Sequence, residues 1–282
     1  MEQPEGGAAV VTGGASGIGL GIARAAAGEG MHVVIADIEK GPGTEAAAAI
    51  AATGARSLFV RTNVMDPDSV EALADLAFSE FGRVDLLCNN AGVHHPGLFS
   101  ETSRQDWRWL LGVNLDGVVH GLLAFLPRMR EQGGESHIVN TSSLAGLAPL
   151  PGGAAYTTSK FAVTGLTEVL RRELAPHGIG VSLLCPGPVN TRIGSSGRNR
   201  RSALGDDGED SGETVDSNAQ ADVEAVTTRG MDPDLVGRLV MAGVRANDRY
   251  ILPHPEWREA IEARAARLLL GFDRAEEMLS SL

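Results

Sequence analysis

Short continuous apolar runs alternate along the chain with longer stretches of helical periodicity. AAVVT (8–12), HVVIAD (32–37), SLFVRTNV (57–64), VDLLCNNAG (84–92), HIVNTSS (137–143) and GVSLLC (180–185) read as six strands with the loops that leave them. Between them lie helix-like segments. An alanine-rich one follows a glycine-rich turn and runs to about Gly28, and TEAAAAIAATG covers 44–54. A third opens on DPDSV, with Pro67 near its N-terminus and acidic residues in its first turn. A long fourth helix is expected from about Ser103 to the region of Pro127 and Arg130, and a fifth carries Tyr156 and Lys160 to about His177.

Strands that are apolar throughout are buried on both faces, which is the mark of parallel sheets covered by crossover helices. The pattern predicts an α/β protein, a single Rossmann-type doubly wound parallel sheet of about seven strands with helices on both faces. Ligands in such folds bind at the carboxyl ends of the strands. The rhythm breaks over 192–230, a segment that starts basic, turns acidic and has little apolar periodicity. It reads either as a mobile surface insertion or as a lid over a pocket. A helix (MDPDLVGRLVMAGV), a short edge strand (RYIL) and an amphipathic closing helix (PEWREAIEARAARLLL) complete 231–282. There is no internal repeat and no clean boundary, so 1–282 is expected to form one dinucleotide-binding and catalytic domain.

Charge narrows the partners. With 24 basic and 36 acidic residues the formal charge is −12, which repels phosphate backbones and argues against nucleic acid or an anionic membrane as partner. No apolar run approaches the roughly 18 residues that span a bilayer, and MEQPEGGAAVV lacks the basic start of a secretory signal. The expectation is a cytoplasmic protein. Cys88 and Cys185 fit neither a CxxC pair nor a metal cluster and read as reduced core thiols. A bridge between them is not expected, because the fifth strand would separate theirs.

The chemistry begins at the first strand's end, in Thr12-Gly13-Gly14-Ala15-Ser16-Gly17-Ile18-Gly19. Glycines between a strand and a helix let backbone approach a pyrophosphate at the helix's positive end, though an ordinary tight turn has the same look. Asp37 ends the second strand, where a carboxylate can accept both ribose hydroxyls of an adenosine and repel a 2′-phosphate. That favours NAD over NADP, a preference softened by nearby Lys40. Asn89-Asn90-Ala91-Gly92 closes the fourth strand and either lines the cofactor crevice or caps a turn. Tyr156 and Lys160 stand four residues apart, on one helical face. Free tyrosine titrates near 10 and a neighbouring ammonium favours phenolate, so this pair suits proton transfer to or from an alcohol. Ser143, thirteen residues before Tyr156, ends the adjacent strand and can hydrogen-bond a reacting oxygen or cap a turn.

TGGASGIG, NNAG, Asn114 in GVNLDG, Ser143, YTTSK and CPGPVNT stand in the order and spacing of the short-chain dehydrogenases/reductases, which residues 8 to about 192 closely resemble. The resemblance implies an NAD-dependent oxidoreductase acting on an alcohol or ketone, with Asn114, Ser143, Tyr156 and Lys160 as its catalytic set. Asn114 is implied to hold a water that relays protons from Lys160, and Ser142 to be a structural neighbour of Ser143. It carries cofactor contacts onto Gly13, Ser16, Gly17, Ile18, Gly19, Asp37, Ile38, Asn63, Val64, Asn90, Ala91, Gly92, Tyr156, Lys160, Pro186, Gly187, Val189 and Thr191. Asn63 departs from the pattern, because many members carry aspartate there beside the adenine. A ketoreductase using NADH or NADPH in a biosynthetic pathway, and a non-catalytic nucleotide sensor, are the alternatives.

The RYILPHPEWRE segment resembles bacterial members acting on bulky apolar secondary alcohols such as terpenoids and lignin-type aryl compounds. Substrate contacts are expected from Ser143, Tyr156, His94 and Leu150, with a small apolar alcohol or ketone as ligand. His94 and His95 lack the further ligands a metal needs, so no metal site is expected. The resemblance also implies a homo-oligomer, tetramer or dimer, joined through the long helix and the Tyr156 helix.

Overall fold

The computed structural model describes residues 6–204 and 217–282. Seven parallel strands form one sheet, Ala8–Thr12 (β1), His32–Asp37 (β2), Ser57–Arg61 (β3), Leu86–Asn89 (β4), Ser136–Thr141 (β5), Ile179–Leu184 (β6) and Tyr250–Ile251 (β7). Their order is β3-β2-β1-β4-β5-β6-β7. β1 pairs with β2 on one side (Val10 opposite Val34) and with β4 on the other (Val10 opposite Leu87). The chain therefore winds outward in both directions from the β1/β4 pair, and a crevice opens where their carboxyl ends part. β1, β4 and β5 are buried at every residue, as continuous apolar strands require.

One core layer packs Gly17–Gly28 (α1), Lys40–Ala51 (α2) and Pro233–Ala246 (α9) on the sheet. The other packs Pro67–Phe81 (α3), Arg104–Leu111 (α4), Gly117–Glu131 (α5) and Ala154–Leu174 (α6). α3 begins as its sequence suggests: the Asp66 side chain accepts from the Asp68 amide and Pro67 occupies the first turn. Cys88 and Cys185 are buried and free, and their strands, β4 and β6, flank β5.

Four expectations are corrected. The helix expected to run unbroken from Ser103 is interrupted between α4 and α5 by a π-type turn at Gly112–Asp116. A Cβ on Gly112 or Gly117 would fall 2.5 Å from Met65 Cε or 2.8 Å from Val64 Cγ2, so glycine lets the widened turn rest on the chain leaving β3. The strands anticipated at 57–64 and 137–143 end earlier, at Arg61 and Thr141. The segment 192–230 is largely helical where it is described, with a 3₁₀ stretch Ile193–Asn199 and helices Arg200–Leu204 (α7) and Ser217–Thr228 (α8). Its acidic middle, 205–216, lies outside the described residues.

The last helix, Arg258–Ser280 (α10), does not close the core, for none of its residues is buried. α9 does that work, because its apolar positions are spaced to bury Val236, Val240, Met241 and Val244 on one side.

α1 and α9 meet through two glycines. A Cβ on Gly237 would stand 2.1 Å from the carbonyl oxygen of Gly21, and one on Gly21 would stand 2.2 Å from that of Pro233. Backbone cannot retreat as a flexible side chain can. Gly237→Ala is expected to destabilise the protein by about 1–3 kcal/mol, read as a lowered midpoint in urea with the slope unchanged.

Candidate active site

The crevice at the β1/β4 switch point is a cleft of about 1080 Å³ that opens to solvent. Its floor begins at the turn after β1. Gly13 and Gly17 have φ of +64° and +52°, in the left-handed region that glycine favours. A Cβ on Gly19 would lie 2.2 Å from the Gly13 carbonyl oxygen, so the turn folds flat onto the start of α1. Ser16 caps α1 without a side-chain bond, and the first turn holds no acidic residue. That leaves the helix's positive end to an anion.

Asp37 also lines the cleft, at the end of β2. Its two oxygens accept from the Ala15 and Glu39 amides, both at 3.0 Å. Burial raises its pKa, against the lowering effect of those amides. Ile38, Asn63, Val64, Asn90, Ala91 and Gly92 line the same cleft, as do Ile18, Pro186 and Thr191. Gly187 and Val189 stand beside it in the loop after β6.

The strand ends are tied together by polar side chains. Thr12 Oγ1 accepts from the amides of Asn90 and Ala91, and Asn90 Nδ2 donates to the Thr12 carbonyl. Thr141 Oγ1 donates to Asn90 Oδ1, and Lys160 Nζ donates to the Thr141 carbonyl at 3.0 Å. β1, β4, β5 and α6 are thereby linked at the mouth of the cleft.

Tyr156 and Lys160 share one face of α6, with Lys160 Nζ 5.6 Å from the centre of the Tyr156 ring. Burial raises the Tyr156 pKa, while a hydrogen bond from Ser143 lowers it. Burial also brings Lys160 down to about 8. The lowering of Tyr156 expected from Lys160 is not seen: desolvation dominates both groups and disfavours both charged forms, and the opposing effect on Tyr156 comes from Ser143.

Ser143 follows β5, and its hydroxyl also accepts from the Ala145 amide at 3.1 Å. Ser142 instead donates to the Lys160 carbonyl and meets Thr164 Oγ1, a structural bond within the core. Of the two serines, Ser142 lines the cleft, while Ser143 meets Tyr156.

Asn114 sits in the π-type turn with its side chain engaged. Oδ1 accepts from the Val93 amide, and Nδ2 donates to the Val93 carbonyl and to Ser159 Oγ. Its side chain fixes the loop after β4. Asn63 is similarly committed: Oδ1 accepts from the Met65 amide and Nδ2 donates to the Ala203 carbonyl.

The His94 ring meets Tyr156 edge to face, 4.7 Å between centroids, and burial lowers its pKa to about 4, leaving a neutral imidazole. Leu150 is exposed on the turn before α6. Among the described residues no cluster of His, Cys, Asp and Glu has a metal-binding arrangement.

Sequence reasoning missed His254. This buried ring accepts the Gly187 amide at Nδ1 and bonds the Pro188 carbonyl through Nε2. It thus fixes the turn after β6 from the far side. Its only signal was a histidine set between Pro253 and Pro255. The contacts that 192–204 makes could not be read from the sequence, which left this segment as either a surface insertion or a lid. Arg192 and Arg198 both pair with Glu39, Ser196 exchanges hydrogen bonds with the His94 backbone, and Arg200 pairs with Asp106 at 2.5 Å. These contacts strap the segment across the cleft.

A glycine-turned strand–helix unit, a carboxylate at the next strand's end and a Ser-Tyr-Lys group at the crevice define a nucleotide-linked oxidoreductase of the α/β class. The sequence profile of the short chain dehydrogenases matches residues 7–202, and the chain belongs to that family. It is 33% identical over 255 residues to a C alpha-dehydrogenase of Sphingobium sp., covering 90% of this chain and 82% of that protein. It is 40% identical over 186 residues to a 1-deoxy-11-beta-hydroxypentalenate dehydrogenase of Streptomyces exfoliatus, covering 65% and 68%. A short chain dehydrogenase/reductase from Burkholderia phymatum, solved in complex with NAD, superposes with a TM-score of 0.90 at 37% identity, covering 96% of this chain and 97% of that one.

The depressed Lys160 pKa has a measurable sign. Between pH 8 and 10.5 the unfolded chain keeps the Lys160 proton and the folded one loses it, so stability rises with pH across that window. Against Lys160→Met, the wild type is expected to gain on the order of a few kcal/mol between pH 8 and 10.5. Parallel urea titrations across that range would check it, and a constant difference would refute it.

Proposed function

We propose that this protein is an NAD(H)-dependent dehydrogenase that interconverts a secondary alcohol and a ketone on an apolar small molecule. The observation that carries this reading is that Tyr156, hydrogen-bonded to Ser143, and Lys160 line the same cleft as Asp37. The residues fit a dinucleotide. The flat glycine turn and the α1 N-terminus suit the pyrophosphate, Asp37 suits the adenosine ribose, and Pro186 and Thr191 border the remainder. The NAD-bound Burkholderia structure supports the same choice. When bound, the nicotinamide supplies the hydride acceptor or donor, and its oxidised form adds positive charge beside the phenol.

In oxidation Tyr156 Oη takes the hydroxyl proton as the base, and in reduction it returns it as the acid. Ser143 holds the substrate oxygen and bonds the phenolate. Lys160, anchored on the Thr141 carbonyl, supplies the nearby cation. Asn114 holds the π-type turn and the loop after β4 against that cation; a Cβ on Gly92 would stand 3.5 Å from Lys160 Nζ. The 192–204 segment acts as the lid and shields these groups from water. The neutral His94 and the apolar Leu144 and Leu147 favour an apolar substrate, in keeping with the relative named for hydroxypentalenate. α5 and α6, with Leu123 and Val169 exposed on them, pair with their copies in a homo-oligomer.

Tyr156→Phe is expected to lower kcat by about 10²–10⁴-fold on a secondary alcohol followed by NADH absorbance, with NADH binding retained. Turnover equal to the wild type would sink the mechanism. The kcat/KM with NAD should exceed that with NADP at least about tenfold, a difference of about 1.4 kcal/mol. The reverse preference would overturn the role given to Asp37.

A further inference from the structure

α10 is 23 residues long and buries none of them. Only its first turns approach the body, where Ile261 is half-buried and Arg264 lies over the Phe161 ring of α6 at 5.0 Å. Beyond that point every residue is exposed. The exposed part is patterned nevertheless. Ala265, Leu268, Phe272, Ala275 and Leu279 follow one another at spacings of three, four, three and four. This strict seven-residue repeat keeps one apolar seam in line only if the helix supercoils left-handedly around another helix. α9 also spaces its apolar positions by three and four, but it buries them against the body, whereas those of α10 are left uncovered. Most helical stability in proteins comes from packing an amphipathic face, which α10 lacks beyond Arg264, and Gly271 in its middle weakens it further.

We propose that α10 is an association arm whose seam pairs antiparallel with α10 of a second copy of this chain, an interface separate from the oxidoreductase site. The seam is complementary to itself in that arrangement. Phe272 faces Ala275 of the second copy and Leu268 faces Leu279, so large residues meet small or equal ones under a single two-fold axis. Leu269 and Met278, both more than half exposed, flank this seam. At on the order of 100 Å² per large side chain, Leu268, Leu269, Phe272, Met278, Leu279 and Leu282 offer roughly 600 Å² per copy. That approaches the roughly 800 Å² per partner of a standard interface. The helix has no basic excess, with Arg258, Arg264, Arg267 and Arg274 set against Glu259, Glu262, Asp273, Glu276 and Glu277, and in a chain of charge −12 that disfavours an anionic membrane as the occupant.

Leu268→Glu combined with Phe272→Glu tests the arm without touching the core, because both side chains are more than half exposed and neither belongs to the buried core. The expected result in light scattering is half the wild-type mass, with the thermal midpoint and the circular dichroism of the body retained. Since Cys88 and Cys185 are buried, Leu268→Cys combined with Leu279→Cys is expected to form a covalent dimer on a non-reducing gel, and neither single variant should. A wild-type mass in the charged variant overturns the proposal. So does a double-cysteine protein that stays uncrosslinked, and so does binding of the wild type to anionic vesicles that the charged variant loses.

Discussion

The position of every group at the crevice depends on how β1 and β4 are held apart and tied at their carboxyl ends. Thr12 makes that joint. Its hydroxyl oxygen accepts two amides of the chain leaving β4 and donates to the Cys88 carbonyl within it. From there the linkage passes through the Asn90 side chain to Thr141 and ends on Lys160 Nζ. A buried ammonium is costly unless hydrogen-bonded, so Lys160 is held by the strand ends as much as it is presented by α6. The same linkage fixes the distance between the turn that would take a pyrophosphate and the group that would move a proton.

Asparagine reinforces this joint in three places. Asn114 clamps Val93 from the π-type turn, and Asn89 donates to Asn140 at 2.9 Å, which in turn donates to Thr167 of α6. These bonds run from β4 through β5 into the helix of Tyr156 and Lys160. A fully satisfied polar network in a core fixes one arrangement where apolar contacts alone would allow several. Asn89 Oδ1 is the exception, since it lacks a partner and sits where a Cβ on Gly121 would come within 2.2 Å. The close approach of α5 explains the glycine there but gives the oxygen no partner.

The parts legible in the sequence are those where one residue answers to local geometry. Continuous apolar strands, the glycines at 13, 17 and 19, Asp37 at a strand end and the four-residue step from Tyr156 to Lys160 each follow from a short-range rule. What could not be read depends on contacts between distant positions. The resemblance alone gives Asn63 an adenine contact, and the bonds its amide makes, one to a carbonyl 140 residues away, follow from no short-range rule. Glu39 had no visible role until Arg192 and Arg198 folded back onto it. His254 gains its meaning only when β7 brings it behind Gly187. For α10 the amphipathic pattern was legible, but whether it faces this chain's core or another helix needed the seven-residue spacing to be set against its exposure.

The buried Tyr156–Lys160 pair shows why such a site is assembled from so many supports. Desolvation pushes Tyr156 up and Lys160 down, so in the protein alone the pair resists forming phenolate and ammonium together. Of the supports present, the Ser143 hydrogen bond acts directly on Tyr156 in the opposite sense. A reactive phenolate then requires further positive charge or a reacting oxygen in the cleft, the conditions that a bound oxidised nicotinamide and an alcohol would create. The strap of 192–204, tied to Glu39, His94 and Asp106, keeps the low-dielectric surroundings on which that requirement depends.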